Sequence, residues 1–181
     1  MNKEQISDFL FDLNIQHFKI KDDLVVDIHE SISLQGMGLS ELPFKFGDID
    51  GYFDCSDNKL TTLKGCPKLI DGFFDCSNNE LISLEYGPIN VGSFYNCYHN
   101  KLTDLGYLPK VIKKSIDFRF NDLTSNIFLS DIKGDIYTSI RDNGVKLSEA
   151  GRVLNKDVFI KLNKRSSIIK EILRNKKEYG N

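Results

Sequence analysis

Asn58, Asn79, Asn100 and Asn121 fall at a constant interval of 21 residues, and the interval is not confined to asparagine. It also links Leu60, Leu81, Leu102 and Leu123, then Leu63, Leu84 and Leu105, then Pro67, Pro88 and Pro109. Upstream of each Asn it links Cys55, Cys76, Cys97 and Phe118, then Phe53, Phe74, Tyr95 and Ile116, then Ile49, Ile70, Val91 and Ile112. Columns held in register in this way require one short unit stacked on copies of itself, because a single unit cannot bury its own apolar face. The unit reads I-x-G-x-F-x-C-x-x-N-x-L-x-x-L-x-x-x-P, beginning at Ile49.

Each part of the unit has a physical task. Phe53-x-Cys55 alternates as a short strand, so both side chains face inward while Tyr52, Asp54 and Ser56 face outward. Parallel stacking at about 4.8 Å sets equivalent residues above one another. Leu60 and Leu63 close the core from the returning side, and Pro67 keeps the chain extended. The Asn column sits where the strand ends and the chain turns. A buried amide there satisfies backbone groups of its own turn and of the neighbouring one, forming a ladder.

The unit resembles the leucine-rich repeat, whose core pattern is L-x-x-L-x-L-x-x-N-x-L. More narrowly, Phe53-Asp54-Cys55-Ser56-Asp57-Asn58-Lys59-Leu60 and Phe74-Asp75-Cys76-Ser77-Asn78-Asn79-Glu80-Leu81 resemble the short Cys- and Asn-containing repeats common in tailed bacteriophages. Those proteins also carry a stretch like Leu42-Pro43-Phe44-Lys45-Phe46-Gly47 before the first repeat. The resemblance spans residues 28–132 and implies a leucine-rich-repeat solenoid of stacked parallel strands. Its members serve as recognition surfaces for many targets.

The pattern decays at both ends, as a capped array requires. Upstream, Ile28, Ile32, Leu34, Leu39 and Leu42 keep the apolar columns while Met37 stands in the Asn column. Downstream, Asn126 and Ser130 replace the second Leu and the Pro, and Ile132, Ile136, Thr138 and Ile140 suggest one or two degenerate strands. Five or six turns are expected in all. Ile6, Phe9, Leu10 and Leu13 share one face of a helix over about residues 3–14. Phe18, Ile20, Leu24 and Val26 flank Lys21-Asp22-Asp23 as a hairpin able to cover the first exposed edge. Ser148 and Ser166 or Ser167 are positioned to cap C-terminal helices. The expected organisation is a helix–hairpin cap over 1–27, the solenoid over 28–132, and degenerate strands followed by a basic helical segment over 133–181.

Charge marks the same boundary. Residues 1–140 hold 13 Lys and Arg against 21 Asp and Glu, a balance of −8; residues 141–181 hold 11 against 5, a balance of +6. Hydrophobic residues make up 40% of the 181, enough for one core, and no apolar run approaches the roughly 18–20 residues of a membrane span. The N-terminus lacks the apolar stretch of a secretion signal, so the expectation is a cytoplasmic protein, in the host cytoplasm if phage-encoded, with no membrane partner.

Catalytic and metal signatures are absent from the sequence. Cys55, Cys76 and Cys97 lie one repeat apart, with no close C-x-x-C pair, and read as a buried thiol column rather than a metal or disulfide site. His17, His29 and His99 are isolated, and no Gly-rich phosphate loop or nucleophile elbow appears. The expectation is therefore a non-enzymatic protein with no cofactor.

The outward strand positions are more informative. They place an aromatic column, Tyr52, Phe73 and Phe94, beside an acidic one, Asp54, Asp75 and Asp117, which Asn96 interrupts; Tyr98 and Arg119 follow two residues on. Ser31, Ser33 and Gln35 occupy the preceding turn. Aromatic anchors beside fixed charge are what protein interfaces use for affinity and selectivity. Tyr52, Asp54, Phe73, Asp75, Phe94, Asn96, Tyr98, Asp117 and Arg119 are the expected partner-binding set. The family resemblance makes a host protein the expected target, bound and modulated through the strand face, and the acidic column favours a basic one. A nucleic-acid role through the basic C-terminal segment and a structural role in a phage particle are the alternatives.

Overall fold

The structure, a computed structural model, describes residues 1–123 throughout and, after them, strand backbone at 131–132, 136–137, 141–142 and 145–146. The helices expected after Ser148 lie outside the described residues.

Helix α1 (Lys3–Asp12) begins at Asn2, whose side chain accepts from the Gln5 N–H while the Gln5 side chain accepts from the Asn2 N–H. This reciprocal cap satisfies two of the donors that a helix start leaves unpaired. Ile6 and Leu10 are fully buried, Phe9 and Leu13 pack partly against the core, and Phe9 meets Phe44 edge-on at 5.8 Å. Strands β1 (Phe18–Ile20) and β2 (Val25–Ile28) form the expected antiparallel hairpin.

From there the chain coils as a parallel-strand β-solenoid. Each coil contributes two short strands where the sequence pattern showed one. A seven-stranded sheet runs in the order β1, β2, β4 (Lys45–Ile49), β6 (Leu69–Ile70), β8 (Asn90–Val91), β10 (Val111–Ile112), β12 (Asp131–Ile132). A six-stranded sheet contains β3 (Ile32–Ser33), β5 (Phe53–Asp54), β7 (Phe74–Asp75), β9 (Tyr95–Asn96), β11 (Ile116–Asp117) and β13 (Ile136–Tyr137). Strands β14 (Arg141–Asp142) and β15 (Val145–Lys146) pair antiparallel. The hairpin therefore continues the first sheet and not the Phe53 sheet, where β3 begins the stack.

Register in the second sheet matches the sequence period: Ile32 pairs with Phe53, Phe53 with Phe74, Phe74 with Tyr95 and Tyr95 with Ile116. These are about four turns at the 21-residue spacing, followed by a step from Ile116 to Ile136. The backbone bonds run coil to coil, as in Phe53 N–H to Phe73 O (2.9 Å) and Cys55 N–H to Asp75 O (2.8 Å).

Every inward column named from the sequence is buried: Phe53, Phe74, Tyr95 and Ile116; the thiols Cys55, Cys76 and Cys97; the two Leu columns; and Pro67, Pro88 and Pro109. The asparagines stand in a single file. Asn79 Nδ2 donates to Cys55 O (3.0 Å) in the coil before it and to Cys76 O and Ser77 O (each 3.1 Å) in its own, while Oδ1 accepts from Leu60 N–H (2.9 Å). Asn58, Asn100 and Asn121 repeat the pattern.

Tyr95 is the exception inside the core. It takes the place of Phe53 and Phe74, and Gly87 stands where Cys66 does one coil earlier, which makes room for the longer side chain. A Cβ at Gly87 would lie 3.8 Å from the Tyr95 hydroxyl. That hydroxyl is buried without a hydrogen-bond partner among the described residues, and burial pushes its pKa well up. Because a buried unpaired polar group costs about 1–3 kcal/mol, Tyr95→Phe is expected to raise stability by about 1 kcal/mol. Thermal melting read by circular dichroism should show the midpoint rising by a few degrees.

Candidate binding face

The corner between the two strands of a coil aims the candidate side chains. After β6, Asp71 and Gly72 turn the chain so that Phe73 projects at the edge of the second sheet, with Phe74 directed into the core. The same turn presents Tyr52 and Phe94. Their rings form a continuous file: Tyr52 and Phe73 stack at 4.5 Å between centroids and 6° between planes, Phe73 and Phe94 at 4.8 Å and 4°. Tyr52 and Phe73 are half-buried by their neighbours, while Phe94 is 40% exposed.

The acidic column lies alongside, and most of its oxygens face inward tasks. Asp54 Oδ1 accepts from both the N–H (2.9 Å) and hydroxyl (2.6 Å) of Ser56, and Asp75 Oδ1 accepts from Ser77 in the same way. These are turns in which a side chain two residues back caps the strand end. Ser56 and Ser77, expected to face outward, are in consequence 3% and 6% exposed. Asn96 donates to Asp75 Oδ2 at 2.8 Å and accepts from the Tyr98 N–H. Burial pushes the Asp75 carboxyl up, against the opposing hydrogen bonds of Ser77 and Asn96. Asp117 is held by the N–H, Nε and Nη2 of Arg119. The column is thus less strongly charged toward solvent than its composition implied, although the second oxygen of Asp54 has no partner among the described residues.

Tyr98 and Arg119 are brought together. The Arg119 guanidinium carbon lies 5.7 Å from the Tyr98 ring centroid, and Phe120 meets the same ring edge-on at 5.1 Å. All nine residues expected to bind a partner therefore share one face, Tyr52, Phe73 and Phe94 at its corner and the others along and beyond the strands.

Two features beside this face did not follow from the sequence. Gly36, Asp57, Asn78, His99 and Phe120 form one column and all adopt left-handed backbone, with φ between 51° and 68°. The N–H groups of Gly36, Asp57, Asn78 and His99 continue the coil-to-coil ladder, for example Asp57 to Ser77 O at 3.0 Å. The side chains of Asp57, Asn78 and His99 form a polar file, in which Asn78 and the neighbouring Gln35 donate to Asp57, and His99 Nδ1 lies 2.9 Å from Asn78 Oδ1. Since Asn78 uses its amide N toward Asp57, His99 must be the donor. Asp and Asn at this column were the available signal, because they tolerate left-handed backbone better than most residues. The second feature is a groove of about 310 Å³ between Phe94 and the next coil, lined by Asn96, Ser115, Asp117 and Arg119.

Burial pushes up the thiols of Cys55, Cys66, Cys76 and Cys97, which removes them from nucleophilic chemistry at this face. Among the described residues no cluster of three His, Cys, Asp or Glu is placed to hold a metal ion, and no helix is long and apolar enough to cross a membrane. No family model, curated protein or solved structure matches this chain.

Proposed function

We propose that the chain is a non-catalytic recognition module of the leucine-rich-repeat type, a phage-type protein that binds and modulates a host protein in the cytoplasm through the face of its second sheet. The supporting observation is the stacked file of Tyr52, Phe73 and Phe94, which holds a row of aromatic groups at the surface. Contiguous exposed aromatics mark contact sites, and rings locked in place lose little entropy when a partner covers them. The repeat motifs support the family, and through it the phage origin. The basic segment on which a nucleic-acid role would depend lies outside the described residues.

The test is capture from lysate of the host cell, comparing the parent with the double variant Tyr52→Ser, Phe94→Ser. A specific protein retained by the parent and reduced at least about tenfold by the variant is expected, because central aromatic anchors each contribute more than ~1 kcal/mol. Equal retention by both would remove the face from the account. No retained protein, or retention of nucleic acid in its place, would remove the protein-binding reading.

A further inference from the structure

The aromatic file stops where it could have continued. One coil beyond Phe94 the same column holds Ser115, a side chain too short to form another rung. One face of the Phe94 ring is covered by Phe73; the other looks toward Ser115 and meets the 310 Å³ groove. A gap one coil deep, about 4.8 Å between rungs, admits a planar group lying parallel to the rings.

The groove also has a preferred charge. The face of a phenyl ring carries the negative end of its quadrupole, which attracts cations. Of the adjoining file, Asp117 lines the groove and Asp54 lies two coils away, while Asp75 is held by Ser77 and Asn96; the cations near the groove are Arg119, which grips Asp117, and the exposed Lys113 and Lys114 just before Ser115. Among the described residues Asp117 Oδ2 accepts from Arg119 alone, at 2.6 and 3.1 Å, which leaves a carboxylate oxygen room for a further donor. The planar cation among protein side chains is the guanidinium, flat on its faces and lined with donors at its edge. The molecule uses this combination one column away, where Arg119 lies over Tyr98 while gripping Asp117.

We infer that the groove beside Phe94 receives an arginine side chain of the partner protein, whose guanidinium takes the next rung of the aromatic file and meets Asp117 with its edge. This rests on the reading of the face as a protein-binding surface and names the chemistry that the partner brings to it.

Titration of the ¹⁵N-labelled full chain with Nα-acetylarginine amide, and separately with the corresponding lysine and phenylalanine amides, tests it by chemical-shift changes. Changes concentrated at the amides of residues 94–96 and 115–119 are expected, with arginine bound about fivefold or more tighter than lysine. Ser115→Phe supplies the missing rung from the chain itself and should abolish the arginine response without lowering the melting temperature. Phe94→Leu keeps the bulk but removes the ring face, and should weaken arginine binding about fivefold. Equal binding of arginine and lysine, tighter binding of the phenylalanine amide, or an undiminished response in a folded Ser115→Phe variant would each overturn the inference. So would host-protein capture that survives Ser115→Phe, which would leave the wider face standing. Absence of any captured protein alongside intact, arginine-selective binding would remove the protein-binding reading and uphold the groove's choice of cation.

Discussion

Asn79→Leu is expected to destabilise the protein by about 4 kcal/mol or more, read as the shift in urea unfolding, because one side chain completes four backbone groups. Leucine fits the volume but leaves Leu60 N–H without its 2.9 Å acceptor, and Cys55 O, Cys76 O and Ser77 O without the amide donor. Each buried group so stranded costs about 1–3 kcal/mol, and carbonyls that keep a coil-to-coil bond cost least. Asn79→Asp separates the two halves of the amide. It keeps an acceptor for Leu60 and loses the NH₂, and it sets a carboxylate against three carbonyl oxygens. Burial already pushes the less enclosed Asp75 up, and a carboxyl at position 79 has even less solvent. Its folded pKa would then lie above the unfolded value of about 3.9, so the folded state binds the extra proton. Stability is lost as pH rises from about 3.9 through the folded pKa. The deficit of the Asp variant relative to the parent should therefore widen between pH 4 and pH 7, while that of the Leu variant stays level.

The solenoid was legible because its inward columns repeat side chains whose roles are local and identical in every coil. Asn58, Asn79, Asn100 and Asn121 could be placed from spacing alone, since only a lined-up file lets each amide reach two coils. The first sheet was not legible as a sheet. Leu69–Ile70 and Asn90–Val91 are two residues long, too short for alternation to show, and their inward Ile70 and Val91 read as one apolar column with no strand pattern around it. At the candidate face, alternation identified which side chains leave the core, and Tyr52, Phe73 and Phe94 were correctly grouped. It did not reveal how Asp54 and Asp75 are used, because a turn that folds a carboxylate onto the residue two ahead depends on backbone geometry at the strand end. That same geometry buries Ser56 and Ser77. The groove at Ser115 was present in the sequence as a change of residue in one column. Its meaning required knowing that the rings stack face to face, so that a missing ring exposes a face and not an edge.

Gly72→Ala should be nearly as damaging as loss of the amide ladder, at about 3 kcal/mol or more, for a reason that involves no lost hydrogen bond. At this corner the coils approach so closely that Gly72 N–H reaches Gly51 O at 2.8 Å. A Cβ on residue 72 would sit 2.7 Å from the carbonyl carbon and oxygen of Gly51 and from Tyr52 N, all backbone atoms that no rotamer change can move. The requirement is for space and not for left-handed backbone. In the next coil Ser93 occupies the equivalent column and the close approach passes to Gly92, where a Cβ would collide with the backbone oxygen of Asp71. The glycine shifts by one residue, but the corner still has one. Gly106→Ala is the control: that residue is exposed, among the described residues its Cβ would meet the Asp104 side chain alone, at 3.1 Å, and the change should fall within about 0.5 kcal/mol of neutral. In a stack stabilised mainly by contacts between neighbours, a defect at one interface uncouples the coils on either side. Urea unfolding of the Gly72→Ala variant should therefore lose its single coincident transition, with the tyrosine fluorescence and far-UV circular dichroism midpoints separating. Phe73 follows Gly72 directly, so forcing these coils apart also breaks the aromatic file between Tyr52 and Phe94. If the proposed protein binding through this face holds, retention of the captured protein should then fall with the stacking, in Gly72→Ala and not in Gly106→Ala, even under conditions where both variants remain folded.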